Sequence, residues 1–350
     1  LPGDTTAATT CAPADDCCIV AAGITACAAK TPPVTLKANN PANKNKIPNL
    51  FIPKNPKKYT GVILRSLSQK RKLTFTTPDP AQYHNLMDSK HYVDFAKKIA
   101  KKAGEILLDY YQTNIQINFK GGDKRNLVTE VDLLSEKLIV DAIKKEFPDH
   151  CFMAEEGGDC GIKPSEYKWV IDPVDGTTNY AHGYNFYAVS IALMRNNEVL
   201  AGVIYAPMLN EMFSAAKGHG AFLNDKPLHV SKTEKLETSL LATGFNANEK
   251  GRNLPIFKHV LPKSQGIRRA GSAALDMAYT AAGRLDGYWE FAIYPWDIAA
   301  GVIIIQEAGG TVTDLEGKPL NLSAPDHMTI LSTNGKIHAE MVKEIGDGNR

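Results

Sequence analysis

Apolar residues recur along this chain with two different periods. Val93, Ala96, Ala100, Ala103, Leu107 and Tyr110 repeat every three or four positions with lysines opposite, which predicts an amphipathic helix over 89–112. Thr129 is a good N-cap for a second helix. Glu130 and Asp132 fall in its first turn, and Leu134, Leu138, Ala142 and Phe147 follow on one side before Pro148. Short apolar runs predict strands. Residues 151–154 end at Glu155-Glu156-Gly157-Gly158; side chains of a continuing strand alternate, so at most one glutamate would aim inward. Residues 169–171 close a buried strand that Asp172-Pro173 breaks, since proline offers no N–H to a ladder. Residues 186–194 and 199–206 flank the turn-forming Arg195-Asn196-Asn197-Glu198. Further strands are predicted at 212–216, 238–244, 286–290 (ending on an acid), 310–314 and 328–332. Helices are predicted around 257–260, from 273 to near Gly283, over 295–308 and over 336–345. Strands alternating with helices predict a layered α/β fold.

The first 86 residues read as a different polymer. They hold eleven Lys/Arg, four Asp and no Glu, a net +7, whereas residues 87–350 hold 29 basic and 34 acidic side chains, a net −5. From 31 to 80 the text is rich in Pro, Asn and Lys without a sustained period, and such composition predicts disorder. The weakly polar run at 17–29 is too short to span a bilayer and follows Asp15 and Asp16, where a signal peptide carries positive charge. Three readings stand for this segment. It is a basic tail for nucleic acid or anionic membrane, a transit peptide of unusual composition, or text upstream of a natural start at or near Met87. The expected division is 1–86 as extension and 87–350 as the folded domain, with lobes at about 87–230 and 231–350. Cys151 and Cys160 are the only cysteines of that domain; two thiols there suit a reducing, cytoplasmic compartment and no membrane partner.

The candidate chemistry gathers at element ends. In Trp169-Val170-Ile171-Asp172-Pro173-Val174-Asp175-Gly176-Thr177-Thr178-Asn179, two carboxylates and three hydroxyl or amide side chains meet at a bend. That is how oxygen ligands for Mg²⁺ are presented, and it is also an ordinary Asx turn with solvated acids. Glu155 ends a strand, and Asp297 opens the most apolar helix. Three to four carboxylates without Cys or His partners suit Mg²⁺ or Mn²⁺ rather than zinc. Lys120 lies in a glycine-containing charged loop, either solvated or a mobile phosphate-facing flap. Gly271-Ser272 before a small-residue helix offers an anion or hydroxyl site, or close packing.

Together these residues resemble the inositol monophosphatase family. Trp-Val-Ile-Asp-Pro-Val-Asp-Gly-Thr-Thr-Asn at 169–179 is similar to its first signature, Pro-Trp-Asp-Ile-Ala-Ala-Gly at 295–301 to its second, and Ala-Glu-Glu-Gly at 154–157 to its upstream glutamate motif. Gly-Ser-Ala-Ala-Leu-Asp-Met-Ala-Tyr at 271–279 resembles the bacterial branch, and the likeness runs from about 90 to 345. The resemblance implies an αβαβα sandwich of the inositol monophosphatase and fructose-1,6-bisphosphatase type. It implies a metal shell of Glu155, Asp172, the Val174 carbonyl, Asp175, Thr177 and Asp297, holding two or three Mg²⁺ or, in their place, Mn²⁺. It implies a water-activating pair of Thr177 and Asp132, aided by Glu155, with phosphate on Gly176, Thr177 and Thr178 and flap Lys120 nearby. Arg268, Gly271, Ala273 and Glu290 would line the polyol side, next to Asp175 and Asp297. Asn126 stands where the family more often has Asp, a change at the third, weaker metal position.

The activity so implied is Mg²⁺-dependent hydrolysis of a phosphate monoester, myo-inositol 1-phosphate foremost, by direct in-line attack of water and with lithium sensitivity. Fructose 1,6-bisphosphate, histidinol phosphate and 3′-phosphoadenosine 5′-phosphate are the alternative substrates. A homodimer is implied, and bacterial relatives also associate with RNA and the transcription machinery, which makes a binding protein the rival of another class.

Overall fold

The computed structural model describes three strands between 17 and 66 and the chain over 80–349, apart from 160–164, 246–250 and 324–326; side chains are described from Ser89 onward. The chain divides into two compact units, Leu1–Gln82 and Tyr83–Arg350. In the first, β1 (Cys17–Ala21), β2 (Ile24–Ala28) and β3 (Val62–Ser66) form an antiparallel sheet in that order. Within the run at 17–29, residues 17–21 and 24–28 thus pair as antiparallel strands. Val62–Ser66, in a segment expected to lack structure, pairs with β2. The rest of that expectation lies outside the described residues.

α1 (Pro80–Asp109) begins well before the predicted start, so Met87 lies inside it rather than ahead of it. Its buried stripe is Val93, Ala96, Ile99, Ala100, Ala103 and Leu107, while Tyr110 lies past its end and is exposed. The hairpin of β4 (Ile117–Phe119) and β5 (Leu127–Thr129) leads to α2 (Glu130–Glu146), capped by Thr129 as expected. Its inward face differs from the prediction. Leu133 and Leu134 are exposed, at 53% and 39%, and Val131, Asp132, Ser135, Glu136, Ile139, Val140 and Ile143 are buried.

The large sheet is built from β6 (Cys151–Ala154), β7 (Gly158–Asp159), β8 (Tyr167–Asp175), β9 (Ala188–Arg195), β10 (Glu198–Ala206), β11 (Glu211–Ala216), β12 (Ala221–Leu223) and β13 (Lys226–Pro227), with α3 (Thr177–Ala181) between β8 and β9. Its order is β13-β12-β11-β10-β9-β8-β6-β7, with β6 and β8 parallel. The second sheet contains β14 (Leu240–Thr243), β15 (Gly266–Arg268), β16 (Gly287–Ile293), β17 (Thr311–Thr313) and β18 (Met328–Thr333), in the order β15-β14-β16-β18-β17. Helices α4 (Asn253–Val260), α5 (Ala273–Ala281), α6 (Pro295–Glu307) and α7 (His338–Gly348) complete the unit.

Strand alternation assigns every layer. Trp169 and Ile171 face α1 and α2, whereas Val170 faces α5 and α6. Tyr288 and Ile330 face the same α5–α6 layer, whereas Trp289 and Leu331 face α4 and α7. The layers therefore run α1/α2, large sheet, α5/α6, second sheet, α4/α7: an αβαβα sandwich. α6 is apolar all round because both its sides are covered, and Ile298 through Ile305 are all buried. The two expected lobes are packed as one compact unit around it.

Three local expectations change. β8 does not break at Asp172-Pro173 but runs to Asp175, because a bulge between those two acids frees Pro173 from the ladder. β16 continues past Glu290 to Ile293 through another irregularity, with Ala292 at φ 54°. Cys151 is disulfide-bonded, which overturns the expectation of a free thiol there and removes the cysteine argument for a reducing compartment. Among the described residues no helix is long and apolar enough to cross a membrane.

Candidate active site

Four chain segments bring the predicted acids together. At the end of β6 the chain turns rather than continuing as a strand, so Glu155 and Glu156 both reach one cation instead of opposite faces. Lys120 Nζ lies 2.6 Å from Glu155 Oε1 and 2.6 Å from Glu156 Oε1. The second contact lacks hydrogen-bond alignment, which leaves Glu156 Oε1 a buried acceptor with a charge partner alone. Burial pulls the Lys120 ammonium pKa down, but the Glu155 and Glu156 carboxylates outweigh it and raise it.

The bulge of β8 carries Asp172, Val174 and Asp175. Asp172 Oδ1 accepts the Val174 N–H at 3.0 Å, and burial together with the neighbouring Glu155 carboxylate raises the Asp172 pKa. Gly176 then takes φ 98°, a left-handed turn where a Cβ would stand 3.0 Å from the Phe186 carbonyl. This turn starts α3, whose first N–H groups, at Thr177 and Thr178, have no acceptor within the helix. Thr177 Oγ1 lies 3.1 Å from Asp132 Oδ1 and 3.0 Å from the Val174 carbonyl; its single proton serves one at a time. Asp132 is fixed in turn by Thr129, whose N–H and hydroxyl donate to Oδ2 at 2.9 and 2.5 Å.

The remaining acids hold helix starts. Asp175 caps α5 from across the molecule: Ser272 Oγ and the Ala274 N–H donate to Oδ2 at 2.5 and 2.7 Å, and Ala273 N–H reaches Oδ1 at 3.3 Å. Asp297 Oδ2 accepts the Tyr294 N–H at 2.8 Å in a capping box on α6. The Asn179 amide ties the loop before α5 to the turn, donating to the Phe186 and Ala270 carbonyls at 2.6 and 2.8 Å.

Electrostatics set this cluster apart from surface acids. Burial pushes Asp172 well above the usual carboxylate range, and the charges of Glu155, Asp175 and Asp297 push it further. Asp297 is raised by burial, Glu155 and Asp175. Asp175 is pushed up to about 6 by burial, against the pull of its Ser272 and Ala274 donors. Glu156 is pushed up to about 7 by burial and Glu155, and Asp132 is raised chiefly by burial. Like charges gathered out of water are relieved by protons or by cations. As the side chains stand, no group of three or more His, Cys, Asp or Glu among the described residues is set to hold a metal ion, because each carboxylate is turned to a protein donor. The all-oxygen, mutually repelling donor set nevertheless fits a hard divalent cation.

The polyol-side residues are more dispersed. Glu290 is buried, accepts a hydrogen bond from the Tyr288 hydroxyl, and presses on Gly244, where a Cβ would fall 1.9 Å from Glu290 Oε2. Gly271 takes φ 88° beside Arg269 and Asn179, and Ala273 opens α5. Arg268 and Thr178 are exposed. Periodicity passed over Ser135, Glu136, Gly244, Asp276 and Tyr288. For Ser135 and Glu136 a signal existed: they follow Asp132 at i+3 and i+4.

The sequence profile of the inositol monophosphatase family matches residues 88–348, which contain all of these segments. The chain belongs to the inositol monophosphatase family. It is 44% identical over 263 residues to an inositol-1-monophosphatase of Synechocystis sp., covering 74% of this chain and 90% of that one. It is 39% identical over 257 residues to a putative Nus factor SuhB of Neisseria meningitidis serogroup B, covering 73% and 97%. The solved structure of an inositol monophosphatase from Anabaena (Nostoc) sp. superposes with a TM-score of 0.66 at 41% identity, over 74% of this chain and 97% of that one. Family membership thus rests on the second unit; the profile leaves residues 1–87 unmatched.

Proposed function

We propose that this member of a phosphatase family hydrolyses a phosphate monoester with bound Mg²⁺, and that its preferred substrate is myo-inositol 1-phosphate. The observation that supports this most is the cluster of Glu155, Asp172, Asp175 and Asp297, the middle two buried and the outer two half-buried, with the Thr177–Asp132 pair beside it. Glu155, Asp172, the Val174 carbonyl, Asp175, Thr177 and Asp297 would hold the cations. When bound, Mg²⁺ or Mn²⁺ neutralises charge on the phosphoryl group and leaving oxygen and lowers the pKa of water. The chain supplies positioning and proton handling, which is most of what phosphoryl transfer requires. The N–H groups of Gly176, Thr177 and Thr178 would hold the phosphate. Thr177 Oγ1 orients the attacking water, and Asp132 Oδ1, whose basicity burial raises, takes the proton. Glu155 assists from the β6 turn, and Lys120 on the adjoining hairpin offers a positive charge to the ester.

Glu290 gives the substrate side its preference, because a buried carboxylate accepts hydrogen bonds from ring hydroxyls, and Gly271, Ala273 and Arg268 would line the same side. A homodimer belongs to the same proposal. Fructose 1,6-bisphosphate, histidinol phosphate and 3′-phosphoadenosine 5′-phosphate form the comparison panel. With Mg²⁺, inositol 1-phosphate should give the highest kcat/KM and Li⁺ should inhibit. No hydrolysis of any ester with Mg²⁺ or Mn²⁺ would refute the reading.

A second reading follows from the Neisseria relative, whose name is that of a Nus factor. On that reading the surface binds the RNA or transcription machinery, with or without turnover. RNA affinity of the full chain against the chain from Pro80 separates a contribution of the basic segment from one of the family fold.

A further inference from the structure

α2 buries three polar side chains on one face, Asp132, Ser135 and Glu136, at a spacing that sets them side by side. Each reaches a different part of the site. Asp132 meets Thr177, as described. Ser135 Oγ donates to the Pro173 carbonyl at 3.2 Å, inside the bulge between Asp172 and Asp175. Glu136 Oε2 accepts the Glu156 N–H at 2.9 Å, and its carboxylate also accepts the Gly157 N–H. A buried carboxylate and hydroxyl cost free energy that only such hydrogen bonds offset. Gly157 is an independent sign of the same contact. A Cβ there would lie 2.4 Å from Glu136 Oε1, so glycine is what lets the carboxylate close on the turn.

The sheet cannot do this work. The parallel pairing of β6 with β8 ends at Ala154 and Ile171, and its last rung is the Glu155 N–H to the Ile171 carbonyl at 3.2 Å. The side chains of Glu155, Asp172 and Asp175 sit at or beyond that point, on two turns with no ladder between them.

We infer that Ser135 and Glu136 are positioning residues, which fix the Glu155 turn against the Asp172–Asp175 bulge and thereby set the divalent-cation affinity of the carboxylates on those turns. The inference rests on the metal-dependent reading above. α2 acts as a bar with two attachments: Ser135 to the bulge, Glu136 to the turn. Groups that orient ligands in this way typically change metal affinity by about 10- to 100-fold when lost.

Calorimetric titration of Mn²⁺ into chelator-treated protein, beside thermal unfolding, tests this. Glu136→Gln places an NH₂ group where a backbone N–H donates, and Gly157→Ala pushes the carboxylate away without touching α2. Both should raise the Mn²⁺ Kd at least about tenfold. Ser135→Ala, which loses one neutral hydrogen bond, should raise it about threefold. KM for the ester at saturating metal should stay within about twofold, a split that general loosening of the fold would not produce. Lys137→Ala, on the exposed face of the same helix and paired with Asp141, should leave Kd unchanged. If Glu136→Gln does not fold, Gly157→Ala decides alone. Wild-type protein that binds Mn²⁺ together with a folded variant of unchanged Kd would overturn the inference. Wild-type protein that binds no Mn²⁺ would instead sink the metal-dependent reading.

Discussion

α1 and α2 cover the same face of the large sheet and line one groove between them, yet they bury opposite kinds of surface. From Val93 onward the inward stripe of α1 is Val, Ala, Ile, Gly and Leu, and its contribution is hydrophobic burial. After Val131 the inward face of α2 continues with Asp132, Ser135 and Glu136, and it is wholly apolar only from Ile139 onward. Leucines 133 and 134 meanwhile point to solvent. Rotating α2 to bury them would turn Val131, Ile139 and Ile143 outward and detach all three polar groups from their partners. On the proposed reading, α1 is scaffold and the first turns of α2 belong to the site.

The comparison is broken most severely at the first turn of α2. Asp132→Asn keeps the shape but removes the proton acceptor beside Thr177, and kcat should fall by about 10²- to 10⁴-fold while far-UV circular dichroism stays native. On α1 the opposite signature is expected. Leu107 is fully buried, and Leu107→Ala should cost about 2–5 kcal/mol of unfolding free energy in urea while kcat of the folded fraction is retained. An α1 variant that loses turnover without losing stability would erase the distinction.

The periodic parts of the chain were legible. α1, α6 and most strands stand near their predicted places because apolar residues at one period have one physical outcome. The acids of the site were legible as well, since Glu155, Asp172 and Asp297 interrupt apolar runs at element ends. What misled was punctuation. Pro173 reads as a strand breaker, but a bulge absorbs it, and the ladder partner that makes a bulge is remote in sequence. Leu134, Leu138 and Ala142 read as the core face of α2; the i+3 and i+4 spacing of Ser135 and Glu136 from Asp132 marks a shared face, but their backbone partners at 173 and 156 are remote in sequence. Long-range hydrogen bonds overrode hydrophobic period there.

A smaller effect is expected in the pH dependence of stability. The folded pKa values of Asp175, about 6, and Glu156, about 7, stand above the ordinary carboxylate value of about 4. Between roughly pH 4 and 7 the folded state therefore holds more protons than the unfolded state, and the contribution of these groups to stability falls as pH rises. Melting curves of chelator-treated protein across that window should show the fall, and added Mg²⁺ should flatten it. A pH profile identical with and without Mg²⁺ would show that these carboxylates do not meet the cation.

The central claim is that the carboxylates gathered at the β8 bulge and the start of α6 make the chain a metal-dependent phosphatase. Phosphate release from inositol 1-phosphate, measured against Mg²⁺ concentration after chelator treatment, tests it most directly in wild type, Asp172→Asn and Asp297→Asn. The account predicts no release without Mg²⁺, saturable release in wild type, and turnover abolished in both variants with native circular dichroism. Release that persists in chelator, or near-normal activity in both folded variants, would contradict it.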